Sequence, residues 1–155
     1  MDGLNNGNFI PSQELNRAEV ATIIAKLFSL PLASKERIFS DVKSYDKNIT
    51  AINALYKNKI TSGCSANPLM FCPYKKITRA ELTSFLVRAM KLTNSTKITR
   101  FSDVATNFWN YNDIQKISSQ KTQIIPNCDN KNHNKFCPNQ VVTRGEMAQI
   151  AANVL

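Results

Sequence analysis

The feature that most constrains the fold of this 155-residue chain is an internal repeat. A Phe-x-Pro phrase occurs three times, beginning at Phe9, Phe71 and Phe136. Each copy leads into an Arg-Ala-Glu or Arg-Gly-Glu phrase, whose arginines are Arg17, Arg79 and Arg144. A Phe-Ser-Asp-Val phrase occurs twice, at 39–42 and 101–104. Because the arginines recur after 62 and 65 residues, the sequence predicts tandem structural repeats.

An apolar pattern of helical period follows each arginine. Apolar residues recur at i, i+3, i+4, i+7 and i+8, which predicts three amphipathic helices that each bury one face. The members are Val20, Ile23, Ile24, Leu27 and Phe28, then Leu82, Phe85, Leu86, Ala89 and Met90, and then Met147, Ile150, Ala151, Val154 and Leu155. Three equivalent stripes indicate three helices packed around a shared axis.

A further helix is predicted after each Phe-Ser-Asp-Val phrase. Ile52, Leu55, Tyr56 and Ile60 fall on one helical face in the second repeat, whereas only Ile114 and Ile117 fit in the third. The proline of each Phe-x-Pro phrase favours a short extended segment there. The fold class predicted from these patterns is therefore mainly α, built from helix–loop–helix units.

The repeat landmarks also predict the domain boundaries. We assign 1–32 to a partial first repeat, 33–94 to the second repeat and 95–155 to the third. The first repeat lacks the opening phrase and the first helix, so its remaining helix is expected to have an incompletely covered apolar face. Either another protein chain or the folding back of residues 1–11 would cover that face.

The four cysteines form two local pairs at equivalent places in the second and third repeats. Their even number and short spacing favour two disulfides, Cys64 with Cys72 and Cys128 with Cys137, and hence an oxidising, extracellular compartment. Free thiols and a zinc site are the alternatives. Zinc is disfavoured because its ligands would come from two distant loops that lack Cys-x-x-Cys spacing, so we predict no metal site.

The phrase around each arginine has two readings. Thr78 and Glu81, like Asn16 with Glu19 and Thr143 with Glu146, have the spacing of a helix capping box, which needs no ligand. The arginine occupies the first helical position, where the helix dipole disfavours a cation. It therefore needs a partner: an intramolecular carboxylate such as Asp41 or Asp103, or an anionic ligand at the helix N-terminus. We expect Arg79 and Arg144 to be partly exposed in grooves near an acidic side chain.

The formal charge of +9 indicates an anionic partner, and simple solubility is the plainer explanation. Trp109 is expected either in the partial core or stacked on a sugar ring, and the single histidine, His133, in solvent. No nucleophile–base arrangement or phosphate-binding loop is visible, so we predict no enzyme activity and no cofactor. No segment has the length of a membrane span, and the first twelve residues lack the features of a signal peptide.

The landmarks Phe-Ser-Asp-Val, Ile-Thr-Ser-Gly, Phe-x-Pro and Ile-Thr-Arg-Ala-Glu, in this order, resemble the S-layer homology repeat over nearly the whole chain. The resemblance implies three repeats in a pseudo-threefold arrangement around a central helical bundle. It also implies grooves that bind acidic, often pyruvylated, cell-wall polysaccharide. The positions that match or line such a groove are Arg17, Arg79, Arg144, Glu19, Glu81, Glu146, Asp41, Asp103, Trp109 and Gly63.

The chain departs from the family pattern in places that bear on the groove more than on the fold. Cysteine-containing loops replace the glycine-rich loop, with Gly63 kept in the second repeat and Asn127 in its place in the third. Asn16 replaces the usual threonine and Gly145 the usual alanine. The resemblance implies a non-enzymatic module that anchors an extracellular protein to the bacterial cell wall or cell surface. The alternative is a structural subunit of a lattice or filament that contacts other protein chains; DNA binding is disfavoured by the paired cysteines.

Overall fold

The computed structural model describes residues 8–95, 97–128 and 134–155. Within these residues the chain is mainly helical, as the sequence predicts, with five α-helices and one two-stranded antiparallel sheet. The elements are α1 (Arg17–Leu27), α2 (Ile49–Lys57), β1 (Ser65–Ala66), β2 (Leu69–Met70), α3 (Arg79–Ala89), α4 (Tyr111–Ser118) and α5 (Arg144–Val154). None of the helices in the described part of the chain is long and apolar enough to cross a membrane.

The helices α1, α3 and α5 begin at the repeated arginine and span 11 residues each. The side chains of Asn16, Thr78 and Thr143 accept the backbone N–H of the glutamate three residues later. The N–H groups of Asn16 and Thr78 donate back to that glutamate, so the capping box is complete in α1 and α3. In α5 the carboxylate of Glu146 forms an ion pair with Arg79.

The helices α1, α2 and α3 share one type of C-terminus. The residue after each C-cap has a left-handed backbone, with φ of 48° at Ser29, 59° at Lys59 and 55° at Lys91. The next N–H donates to the carbonyl five residues earlier, in the pairs Leu30 to Ala25, Ile60 to Leu55 and Leu92 to Val87. This is the Schellman ending, with an apolar residue closing the turn but without the glycine that usually adopts the left-handed conformation.

The described chain forms two compact units, and the first is Leu15–Ile77, here called the α1α2 unit. In it α1 packs against α2, and Val20, Ile24, Ile52 and Leu55 are fully buried. The remaining large buried side chains of this unit are Leu15, Phe39, Ile49, Ile60, Phe71 and Ile77. The hydroxyl of Thr22 on α1 donates to the side chain of Asn48 at 3.0 Å, directly before α2.

The second unit, called the α3–α5 unit, consists of Thr78–Leu155 together with the described residues before Leu15. It repeats the packing of the first unit, because α3 lies against α4 and Ser84 donates to the side chain of Asn110 at 3.1 Å. Its core includes Leu82, Leu86, Ile114, Ile117, Phe136, Val142, Met147 and Ile150. Each unit thus pairs a long helix with the short helix that follows it in sequence. The division into repeats at 33 and 95 and the pseudo-threefold arrangement stay predictions.

The apolar face of α1 is covered in part by its own unit, and the expectation that another chain completes the cover stays a prediction. Val20 and Ile24 are completely buried, and Ile23, Leu27 and Phe28 are half-buried. The element that covers it is α2 of the same unit, the short helix that follows α1 in sequence. The alternative that residues 1–11 cover α1 involves residues 1–7, which lie outside the described residues, as does His133.

The Phe-x-Pro phrases are not extended at their middle residue, which corrects the prediction from proline. Ile10, Cys72 and Cys137 have φ of 45°, 58° and 52°, in the left-handed region. In the second repeat the N–H groups of Phe71 and Cys72 both donate to the carboxylate of Asp41. Two consecutive N–H groups can reach one anion only where the backbone turns, so the aspartate and the turn belong together.

Candidate functional site

The arginine at the start of each long helix contacts a Phe-x-Pro segment, and the two together are called an arginine junction. In the α1α2 unit the Arg17 Nε donates to the Phe71 carbonyl at 2.9 Å. The guanidinium carbon of Arg17 lies 5.0 Å from the centroid of the Phe71 ring. The backbone N–H groups of Arg17 and Ala18 donate to the carbonyls of Lys75 and Pro73, each at 3.0 Å. The N-terminus of α1 is therefore fixed by the segment that follows Phe71.

The α3–α5 unit contains a second arginine junction with the same contacts. Arg79 Nε donates to the Phe136 carbonyl at 2.7 Å, and the guanidinium carbon lies 5.1 Å from the ring centroid. Its Nη2 also donates to the Pro126 carbonyl at 2.6 Å. The N–H groups of Arg79 and Ala80 donate to the carbonyls of Gln140 and Pro138 at 2.9 Å.

A third arginine junction, in the same unit, joins the last long helix to the first Phe-x-Pro segment. Arg144 Nε donates to the Phe9 carbonyl at 2.9 Å, and its guanidinium carbon lies 5.0 Å from the Phe9 ring centroid. The Gly145 N–H donates to the Pro11 carbonyl at 2.8 Å. A Cβ on Gly145 would lie 3.0 Å from the Pro11 Cβ, a close contact at the position where the other two phrases have alanine. Each arginine thus contacts a distant Phe-x-Pro phrase rather than the one that begins eight residues before it.

The aspartate of each Phe-Ser-Asp-Val phrase holds the same phenylalanine from the other side. Asp41 accepts the N–H groups of Phe71 and Cys72 at 2.8 and 2.7 Å. Asp103 accepts those of Phe136 and Cys137 at 2.9 and 2.7 Å. The peptide groups on either side of the phenylalanine are therefore fixed by an aspartate at the N–H and by an arginine at the carbonyl. These charge-assisted bonds connect the three repeated phrases through their backbone.

Arg79 is buried, with 2% of its surface exposed, so the expectation that it lies partly open in a groove is wrong. Its guanidinium is enclosed by the Phe136 ring, the Pro126 carbonyl and the ion pair with Glu146, the acidic neighbour that was expected. Burial lowers the pKa of Arg79 to about 10, and the charge of Asp103 acts in the opposite direction. Arg79 therefore stays protonated at neutral pH.

The other two arginines differ in exposure. Arg17 is buried at 4% exposure, whereas Arg144 is half-buried and so matches the expectation of partial exposure. Glu19 and Glu81 each accept a hydrogen bond from the N–H of the capping residue through one carboxylate oxygen. Of the predicted arginines, Arg144 is thus the one that solvent or a ligand reaches most easily.

The disulfides Cys64–Cys72 and Cys128–Cys137 form as predicted. Gly63 precedes the first of them with φ of 93°, and a Cβ there would overlap the Met70 carbonyl oxygen. Gly63 therefore serves the turn that leads into the β1–β2 hairpin. Two groups of metal-type donors lie within 4.8 Å in the described residues, each an aspartate beside a disulfide: Asp41 with Cys64 and Cys72, and Asp103 with Cys128 and Cys137. Because the sulfur atoms are bonded to each other and the carboxylates accept backbone N–H groups, these groups do not offer thiolate ligands.

Trp109 is 65% exposed, so its placement in the partial core is wrong, and its contact is with the adjacent Phe108 ring at 5.8 Å. The functional partners that sequence reasoning missed are the phenylalanines of the Phe-x-Pro phrase. Phe9, Phe71 and Phe136 each precede an arginine by eight residues, which marks them as repeated but does not indicate which arginine each one contacts.

A family model for the S-layer homology domain matches residues 38–83. The chain belongs to the S-layer homology family. It is 32% identical over its whole length to the exoglucanase XynX of Acetivibrio thermocellus and covers 14% of that protein. The surface-layer 125 kDa protein of Lysinibacillus sphaericus is 37% identical over 68% of the chain, which covers 9% of it. The S-layer protein sap of Bacillus anthracis is 30% identical over 97% of the chain, which covers 18% of it.

The S-layer homology domain is a non-catalytic module of cell-surface and cell-wall proteins, so this chain is associated with the cell envelope. The match to an exoglucanase does not make it a glycosidase, because only a small fraction of that enzyme is covered. The predictions of the family, the cell-surface location and the two disulfides are confirmed. The assignment of individual residues to a polysaccharide groove stays a prediction.

Proposed function

We propose that this chain anchors an extracellular protein to the bacterial cell envelope by binding an acidic cell-wall polysaccharide. The matched segment makes up a minor part of relatives whose names differ, an exoglucanase and surface-layer proteins. A segment shared by proteins with different activities is expected to provide attachment rather than chemistry.

The observation that carries the proposal is a difference between acidic and basic side chains. Several acidic side chains are bonded to groups within the protein, whereas the lysines of one unit are exposed. Several carboxylates point inward: Asp41 and Asp103 bind backbone N–H groups, as do Glu19 and Glu81, and Glu146 pairs with Arg79. The lysines of the α1α2 unit are all exposed. That unit has ten basic and four acidic residues, so it accounts for +6 of the formal charge of +9. A surface of this sign attracts an acidic polymer.

The arginine junctions support this role indirectly. Arg17 and Arg79 hold backbone carbonyls and are buried, so we assign them a positioning role. Among the predicted groove residues, Trp109 is exposed and Arg144 is the arginine that is only half-buried, so these two are the candidates for direct contact with the polymer. The two buried arginines fix the segments at Phe71 and at Phe136, each within its own unit.

Sedimentation with purified bacterial cell walls tests the proposal. The chain is expected to sediment with the walls, and much less with walls stripped of their polysaccharide by hydrofluoric acid. Raising the salt concentration from 0.15 to 1 M shortens the screening length from about 8 to about 3 Å and is expected to release the chain. Equal binding to stripped walls, or binding that salt leaves unchanged, would contradict an acidic polysaccharide ligand. A concentration-dependent rise in mass without walls would favour the structural-subunit alternative.

A further inference from the structure

Two tyrosines in the α1α2 unit are exposed to an unusual degree. Tyr45 is 85% exposed and Tyr74 is 74% exposed, which is more than any other aromatic side chain among the described residues with large exposed surface. A tyrosine in the core of a protein contributes apolar burial, and these two contribute almost none. Their rings are therefore available to a ligand.

The two tyrosines lie in one surface region, although they are 29 positions apart in sequence. The Tyr74 hydroxyl donates to Asp46 Oδ2 at 3.2 Å, and Asp46 follows Tyr45 directly. Asp46 is itself fixed, because its other carboxylate oxygen accepts the Asn48 N–H at 2.8 Å and its carbonyl accepts the Ile49 N–H. The start of α2 thus holds Tyr74 at its hydroxyl and leaves the ring exposed. The negative charge of Asp46 raises the pKa of Tyr74 above its ordinary value of 10.0.

Four lysines are neighbours of these tyrosines in sequence. Lys43 and Lys47 flank Tyr45 in a turn in which the Asp46 N–H donates to the Lys43 carbonyl at 3.0 Å. Lys75 and Lys76 follow Tyr74, and all four lysines are exposed. The backbone of Lys75 and Lys76 is fixed by the N-terminus of α1, through the bond from the Arg17 N–H and the bridge to Asn16. With four lysines and one aspartate, the region is strongly cationic.

We propose that this region, the tyrosine patch of Lys43, Tyr45, Lys47, Tyr74, Lys75 and Lys76, is a binding subsite for an acidic saccharide unit of the envelope polymer. The inference rests on the proposed function and adds a location that the arginine phrases do not supply. The tyrosine rings provide flat, rigid contact area for a sugar ring at low entropic cost. The lysines provide the counter-charge for its carboxylate or phosphate.

The composition of the tyrosine patch favours a saccharide over the other occupants. Lysine is depleted at the centre of protein–protein interfaces, and four lysines around two tyrosines do not resemble one. Nucleic acid would match the charge and the rings, but the two disulfides indicate an oxidising compartment outside the cytosol. An acidic polysaccharide would contact the tyrosine rings through its sugar rings and pair with the lysines through its acidic groups.

The first test compares variants in the cell-wall sedimentation assay. Tyr45→Ala and Tyr74→Ala are each expected to weaken wall binding by about fivefold or more, the loss typical of an aromatic contact at an interface. Tyr74→Phe keeps the ring and is expected to bind within about twofold of the parent. Leu32→Ala and Lys57→Gln are matched controls, since they remove an exposed apolar side chain and an exposed charge elsewhere in the unit. Both controls are expected to bind like the parent.

The second test follows the tyrosine rings by NMR while trigalacturonic acid, maltotriose or inorganic tripolyphosphate is added. The acidic trisaccharide is expected to shift the ring signals of Tyr45 and Tyr74, and the neutral trisaccharide much less. Equal shifts with tripolyphosphate would overturn the saccharide subsite and leave a site for charge alone. Unchanged wall binding by Tyr45→Ala and Tyr74→Ala would also overturn the subsite, while the proposed function would stand.

Failure of the parent chain to bind walls would contradict the proposed function. The patch would then be judged by the trisaccharide alone, and an absence of ring shifts would overturn it too. Loss of self-association in Tyr45→Ala during analytical ultracentrifugation would identify the patch as a protein contact and overturn the saccharide occupant.

Discussion

Replacement of Arg79 by alanine separates a structural role of the repeated arginine from direct ligand contact. The substitution removes the bonds to the Phe136 and Pro126 carbonyls and leaves Glu146 without its cation. Removing one partner of a buried ion pair typically costs about 3–5 kcal/mol, because the remaining charge is uncompensated. We therefore expect the free energy of unfolding of Arg79→Ala to fall by about 3–5 kcal/mol. Urea denaturation followed by circular dichroism measures this change.

Two matched variants show whether the loss of stability in Arg79→Ala arises from the arginine junction of Arg79. Arg100→Ala removes an exposed arginine elsewhere in the α3–α5 unit and is expected to change the unfolding free energy by no more than about 0.5 kcal/mol. In the double variant Arg79→Ala with Glu146→Gln, the uncompensated carboxylate is gone, so part of the lost stability is expected to return. An Arg79→Ala chain as stable as the parent that nevertheless fails to bind cell walls would refute the structural reasoning and make Arg79 a ligand contact.

Three further predictions concern local features. Replacing Cys64 and Cys72 by serine is expected to lower the unfolding free energy by about 2–3 kcal/mol, the chain-entropy value for a disulfide that spans 8 positions, measured by urea denaturation. Lys59→Gly is expected to raise the thermal midpoint by relieving the left-handed backbone after α2, with a gain of about 0.5–1 kcal/mol. Asp46→Asn is expected to lower the pKa of Tyr74 in an NMR titration, because it removes the main charge that raises it.

Each of these predictions has an outcome that contradicts it. A serine pair as stable as the parent would mean that the loop is held without its disulfide. A lower melting temperature for Lys59→Gly would mean that the lysine side chain stabilises the end of α2. An unchanged pKa of Tyr74 in Asp46→Asn would mean that the hydroxyl does not donate a hydrogen bond to this carboxylate in solution.

The parts of the fold that could be predicted from sequence are local in sequence. The capping residue Thr78 and its partner Glu81 are three positions apart, and the disulfide partners Cys64 and Cys72 are eight apart. For such pairs, the spacing itself decides whether the groups can meet. The repeat of these local signals also predicted that α1, α3 and α5 would be equivalent helices.

The partners of the arginines could not be predicted, because they are distant in sequence. The helix dipole indicated that Arg17, Arg79 and Arg144 need compensation, but not which group supplies it. The acceptors are carbonyl oxygens 54, 57 and 135 positions away. A backbone carbonyl carries no signature in the sequence, since every residue has one. The carboxylate alternatives, Asp41 and Asp103, were recognisable by type, and they act on the same phenylalanines from the N–H side.

The exposure expected for Trp109 and for Arg79 was wrong in both cases. Trp109 was assigned to the partial core because large aromatic side chains are usually buried, and it is 65% exposed. The unfavourable cation at a helix start predicted that Arg79 lies partly exposed in a groove, whereas the side chain is 2% exposed. In both cases the tertiary contact, and not the residue type, decides the burial. Arg79 is covered by a segment that begins 47 positions later, at Pro126.

The contacts of Arg17 connect the framework of the α1α2 unit to the tyrosine patch. The Arg17 N–H bonds the Lys75 carbonyl, and its side chain holds the Phe71 carbonyl three residues before Tyr74. Loss of the Arg17 side chain would therefore disturb the patch without any direct contact with a ligand. Reduced wall binding by Arg17→Ala would accordingly be accompanied by reduced stability, whereas Tyr74→Ala would lose binding and keep its stability. A repeated arginine whose substitution abolishes binding is thus not shown to touch the polymer until the stability of the variant has been measured.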